Sequence, residues 1–123
     1  MSVVFFENKY IKFWKEQDIV FGQYKNNVII SLEAAYEIVE YRKTHFPDKY
    51  YWLLYIEDFE YITPQARAYF ASDYSNTNVI KWAFILNKPF SILLSNLFIF
   101  INKPKVPVKL FSDTESAIKW LKG

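Results

Sequence analysis

Cysteine is absent from the chain. Disulfides, thiolate nucleophiles and cysteine-ligated metal sites are therefore excluded. Histidine occurs once, as His45, which leaves no His pair or His cluster for a metal. Glycine is scarce as well: Gly22 and Gly123 do not make a glycine-rich phosphate loop. No excess of one charge is present, since 15 Lys and Arg stand against 13 Asp and Glu for a net charge of +2. The basic residues are scattered, which argues against nucleic acid as a partner. A charged region followed by an apolar core and a small-residue cleavage site is missing at the start, so no signal peptide is read there. The longest apolar stretch, residues 84–101, is broken by Asn87, Lys88, Pro89, Ser91, Ser95 and Asn96 and makes a poor membrane span. The expectation is a cytoplasmic protein without cofactor or metal.

Apolar and aromatic side chains are abundant instead, at 52% and 21% of the 123 residues. That suits a single domain over residues 1–123, with aromatics that fill a core or cover an interface. The densest run is Tyr50-Tyr51-Trp52-Leu53-Leu54-Tyr55-Ile56, continuing through Glu57-Asp58-Phe59-Glu60-Tyr61-Ile62. It has no helical period and reads as a strand buried on both faces in the middle of a sheet. Thr63-Pro64 then starts a helix to about Ser72. Thr caps well because its hydroxyl accepts from an orphan backbone N–H, and Pro at the first helical position loses no hydrogen bond. Ala66, Ala68 and Ala71 favour helix and let it approach a sheet closely. In α/β sheets ligands and partners meet the carboxyl ends of strands, so residues 57–67 are the first place to look for function.

The remaining elements follow the same logic. Val3 to Phe6 reads as an edge strand or an arm. Tyr10 to Trp14 and Ile19 to Tyr24 form a hairpin around the polar turn Lys15-Glu16-Gln17-Asp18, with Gly22 marking a bulge or a close contact. Asn26-Asn27 is a turn. Ser31 caps a helix to about Lys43, with Leu32, Ala35, Ile38, Val39 and Phe46 inward and Glu33, Glu37, Glu40 and Lys43 outward. Val79 to Leu86 is a parallel strand, and Asn87-Lys88-Pro89 opens a helix over residues 89–101. Val106 to Phe111 is a short last strand, at an edge or a strand start because of Pro107. Ser112-Asp113-Thr114-Glu115 fits a capping box with Ser112 as cap. Ala117, Ile118 and Leu121 give the final helix its inner face, with Trp120 at its margin. The order β-β-α-β-α-β-α-β-α predicts an α/β mixed sheet with parallel later strands and right-handed crossovers.

Four sets of residues together resemble a known family. They are Ser31-Leu32-Glu33-Ala34-Ala35 with Ile38-Val39-Glu40; Ile62-Thr63 with Ala66-Arg67 and Tyr69; Asn102-Lys103-Pro104 with Pro107; and Leu110-Phe111-Ser112-Asp113 with Ala117 and Trp120-Leu121-Lys122. In order and spacing they are similar to small uncharacterised bacterial proteins of the STAS and SEC14-like (SpoIIAA-like) superfamily, over nearly the whole chain. The resemblance implies a STAS-like β-α superhelix: an N-terminal β-hairpin, then αβαβαβα, with helices packed against a mixed sheet. STAS antagonists carry a phosphorylatable serine in an Asp-Ser-Ser-Gly type motif. Its serines fall here on Pro64 and Gln65, so the usual phospho-switch is missing, and Thr63 is the only hydroxyl beside them. SEC14-like relatives bind lipids, which implies a small apolar ligand as an alternative.

Two candidate surfaces emerge. Thr63, Gln65 and Arg67 surround a helix N-terminus that favours anions, or else form an ordinary capped helix. Leu93, Leu94, Leu97, Phe98 and Ile101 leave helix 89–101 almost without a polar face. Such a helix is an interface, the wall of a lipid-like pocket, or a core element buried beneath Val3 to Phe6. Asn96 and Asn102 could bond across that interface or solvate the helix. Glu57, Asp58 and Glu60 read as a solvated strand end, because no nucleophile accompanies them. His45 reads as a helix-end residue. The resulting expectation is a non-enzymatic interaction or regulatory module, a homodimer or bound to a regulatory protein. A carrier or sensor of a small apolar or lipid-like ligand is the alternative, and an enzyme the weakest reading.

Overall fold

A computed structural model describes residues 4–56, 60–86 and 105–123. Alternating β-formers give three antiparallel strands, β1 (Val4–Glu7), β2 (Ile11–Glu16) and β3 (Ile19–Tyr24). The β2–β3 turn is Gln17-Asp18, where Gln17 takes a φ of 57°, the left-handed value that a primed hairpin turn requires. Asn27, at a φ of 62°, turns the chain into β4 (Ile29–Ile30). The Ser31 hydroxyl accepts from the Ala34 N–H at 3.2 Å and so starts α1 (Leu32–His45). Then follow β5 (Tyr50–Tyr55), β6 (Tyr61–Ile62), α2 (Pro64–Phe70), β7 (Val79–Ile85), β8 (Val108–Phe111) and α3 (Thr114–Lys122).

The main sheet has the order β1-β2-β3-β5-β7-β8, and its last three pairings are parallel. The Tyr50–Tyr55 strand is central, as its unbroken apolar run requires. Register aligns Phe13, Gly22, Leu54, Phe84 and Leu110 across one face. That face packs with Ala34, Ala35 and Ile38 of α1 and Ala66 of α2. The alternate residues Phe21, Leu53 and Ala83 share the other face, where Ala117 and Leu121 of α3 close a second core. Each fully buried Leu or Ile stabilises by about 1.5–3 kcal/mol. Trp14 lies nearly parallel to two rings on that second face, 5.5 Å from Phe21 and 6.3 Å from Tyr55.

Several expectations are corrected. The Tyr50–Ile62 run is not one strand: β5 ends at Tyr55, and Tyr61–Ile62 pairs in parallel with Ile29–Ile30 in a separate two-stranded sheet. Polar Glu57, Asp58 and Glu60 interrupt the run, and β4 was too short to show in the pattern. Residues 4–7 are a strand at the sheet edge, so the element order gains β1, β4 and β6. Gly22 is not a bulge, because the β2–β3 and β3–β5 registers run through it unbroken. Its missing side chain makes room instead: a Cβ there would lie 2.7 Å from Leu54 Cδ1 and 3.1 Å from the Phe13 ring. The cap of α3 is Asp113, not Ser112; its carboxylate accepts from the Ser116 N–H at 2.8 Å. The strand expected at Val106 begins at Val108, after Pro107, and β8 is the other edge of the sheet. The helix expected over 89–101, with Leu93, Leu94, Leu97, Phe98 and Ile101, lies outside the described residues.

Candidate functional site

Between the sheet and the α1–α2 layer lies a cavity of about 200 Å³. Its floor is the sheet face: Ile11, Phe13, Tyr24, Leu54, Trp82 and Phe84. Ile38 and Arg42 of α1 form one wall, and Phe70, Ala71 and Asn76, at and after the end of α2, form another. Ile56, Glu60, Tyr61, Ile62 and Arg67 are the remaining lining residues among those described. Glu60 and Tyr61 are exposed, so this side is the mouth. The cavity lies over the sheet face toward the carboxyl ends of β3 and β5, next to the segment that leads into α2.

Arg42 is the unusual member of the lining. It lies on the inward stripe of α1, four residues after Ile38, and only 4% of it is exposed. Its guanidinium rests over two indole rings, 5.2 Å from the centroid of Trp52 and 5.4 Å from that of Trp82. Desolvated cation–π contacts of this kind contribute about 2 kcal/mol. Nη2 donates to the Ser75 carbonyl. No carboxylate among the described residues is within ion-pair distance of it; the ion pairs there are Lys25–Glu7 and Lys105–Asp73, both on the surface. Burial lowers the Arg42 pKa to about 10, against the opposing influence of Tyr24, Tyr69, Glu40 and Tyr74. It therefore remains charged at neutral pH.

Asn76 holds the wall in place. Its side-chain amide donates to the carbonyls of Phe70 at 3.0 Å and Ser72 at 2.8 Å. Its oxygen accepts from the Trp82 indole N–H at 2.6 Å. One buried amide thus ties the end of α2 to β7 and fixes the loop that carries Ser75. Burial pushes the Tyr24 phenol up from its ordinary pKa, so the floor stays neutral. Among the described residues no group of three His, Asp or Glu side chains could hold a metal.

The expected site residues separate. The Thr63 hydroxyl is the N-cap of α2, accepting from the Ala66 N–H at 3.1 Å. Gln65 is exposed, and Arg67 lines the cavity. His45 sits at the end of α1, its Nδ1 3.0 Å from the Tyr41 carbonyl and its ring 4.2 Å from that of Phe6. Sequence reasoning missed Arg42, Asn76 and Trp82. Arg42 had a signal, because it continues the 35, 38, 39 stripe of α1 by a helical step. Asn76 had none, since it reads as an ordinary loop residue.

A mixed sheet with α1 and α2 on one face and α3 on the other defines a SpoIIAA-like fold. The chain is similar to the crystal structure of an uncharacterised protein of the DUF3478 family, with a SpoIIAA-like fold, from Shewanella loihica PV-4. The TM-score is 0.61 at 14% identity, over 90% of this chain and 91% of that one. Residues 13–123 match the family model described as Domain of unknown function (DUF7793), and the chain belongs to that family. No curated protein matches it. No helix among the described residues is long and apolar enough to cross a membrane.

Proposed function

We propose that this protein is a non-catalytic binding module whose cavity takes a small, largely apolar molecule, as a carrier or sensor. The observation that carries the reading is the cavity of about 200 Å³ over the β3–β5–β7 face, with its apolar floor. Apolar cavities of roughly 150 Å³ already accept benzene. Burial of apolar surface supplies the binding energy, and the reading requires no bond to be made or broken.

Docking through Thr63, Gln65 and Arg67 has less support. The Thr63 oxygen is engaged as a cap, Gln65 contributes nothing to the cavity, and Arg67 serves it from the lining. A homodimer or a regulatory partner would act in addition to the cavity, by sensing its occupancy.

Methyl-labelled protein titrated with 2-phenylethanol, a neutral probe, tests the reading by NMR. Shifts are expected at Ile11, Ile38, Leu54 and Ile56, while Ile19, Leu53 and Leu121 of the opposite core stay still. Saturable shifts spread evenly over both cores, or none at all, would count against it.

A further inference from the structure

Around Arg42, at one end of the cavity, hydrogen-bond donors go unmatched among the described residues. Arg42 carries five N–H donors, and one is spent on the Ser75 carbonyl. Two more buried donors lack a partner among the described residues, the Trp52 indole N–H and the Ser75 hydroxyl. Both belong to residues packed against Arg42 just behind the lining, and Arg42 itself lines the cavity. The Asn76 oxygen accepts from the Trp82 indole N–H, and as a neutral amide it is no counter-ion for Arg42. Glu40, whose carboxylate accepts from the Tyr74 hydroxyl at 2.6 Å, influences Arg42 from outside ion-pair distance. A buried cation with no counter-ion among the described residues is destabilised, and a matching anion relieves that penalty.

We infer that the cavity binds a small organic monocarboxylate, its carboxylate against the Arg42 guanidinium and its apolar body over Phe13, Leu54 and Phe84. This rests on the cavity reading above and adds the charge of the ligand. Guanidinium and carboxylate match as planar, bidentate partners. A single buried positive charge is balanced by a singly charged head, whereas a phosphate dianion would bury surplus charge. The size sets the body. About 200 Å³ lies below the roughly 300–1,000 Å³ of sites for drug-sized ligands, so one ring or a short chain fits and a two-chain lipid does not.

The test compares phenylacetate with phenylacetamide, which have the same shape and differ in charge, by calorimetry on the full chain. Phenylacetate is expected to bind about tenfold or more tightly than the amide, the range of a charge-assisted hydrogen bond. Arg42→Gln should bring that ratio near one while the amide still binds, and Arg42→Lys should restore part of it. Circular dichroism checks that each variant is folded. If a variant does not fold, the wild-type indole N–H signals of Trp52 and Trp82 decide: the acid must shift both and the amide much less. Equal binding of acid and amide would overturn the carboxylate assignment and leave the cavity reading standing. Failure of both probes, and of octanoate and octanamide, would overturn the two together. Tighter binding of phenyl phosphate than of phenylacetate would overturn the choice of head group alone.

Discussion

Single residues decide how much space the fold keeps. Gly22 faces the cavity side of the sheet, where Leu54 Cδ1 leans over it at a distance a Cβ would reduce to 2.7 Å. In Gly22→Ala the Leu54 side chain must move away or strain against the Phe13 ring. Overpacking of this kind costs about 1–3 kcal/mol. Urea denaturation should therefore show a lower midpoint with an unchanged slope, and a displaced Leu54 would also lower affinity for a cavity probe. The position was legible as a place where something comes close, but its neighbours were not. Register across three strands sets them, and a linear reading of the sequence does not contain it. Arg42 was hidden for another reason: charged residues usually belong to the wet face, and only the helical step from Ile38 and Val39 places this one inside.

Elements with strong local signals were read well, and those that depend on distant pairing were not. Thr63-Pro64 and Ser31 follow from chemistry within a few residues and stand where the sequence puts them. The expected turn Lys15-Glu16-Gln17-Asp18 narrows to Gln17-Asp18, because Lys15 and Glu16 pair with Val20 and Ile19 at the end of β2. β4 and β6 are two residues long and exist only because they pair with each other across α1 and β5. No period can reveal a strand that short. The α3 cap was misread by one residue, because Ser112 and Asp113 are both good caps and the Ser-x-x-Glu spacing pointed to the first. The two are easily separated. Asp113→Ala should lower the thermal midpoint by a few degrees, while Ser112→Ala leaves it nearly unchanged. Because the Ser116 N–H lowers the Asp113 pKa, the Asp113 contribution is full above its ordinary value of 3.8 and fades as the carboxylate is protonated below it.

For the molecule as a whole, the alternation of strands and helices was enough to give a mixed sheet with parallel later strands. It could not give the cavity, which arises from how two layers meet. The buried floor also gives the protein an alkaline limit. Burial holds the Tyr24 phenol above its ordinary 10.0. Below that pH both states keep the proton and stability is intact. Above it the unfolded chain ionises first and binds fewer protons than the folded one, so stability falls as pH rises. Arg42, lowered from 12.5 to about 10, works in the opposite sense, since the folded form releases its proton first. Tyr24→Phe removes its own part of the falling slope, leaving the parts from Tyr69 and Tyr74, whose phenols are also raised. Between about pH 9 and about pH 11 the urea midpoint of wild type should drop more than that of the variant; parallel curves would contradict the burial of that phenol.

The β4–β6 pair sits at the cavity mouth and, among the described residues, belongs to no larger sheet. It is flanked by the Thr63 N–H on the Ile30 carbonyl at 3.0 Å and the Glu60 N–H on the Val28 carbonyl at 2.8 Å. So short a clasp unfastens at far lower free energy than the central strands. Amide exchange at Glu60 and Thr63 should outpace that at Leu53 and Ala83. A guest entering there would pass a lightly fastened seam, and its residence time would follow how often that seam parts.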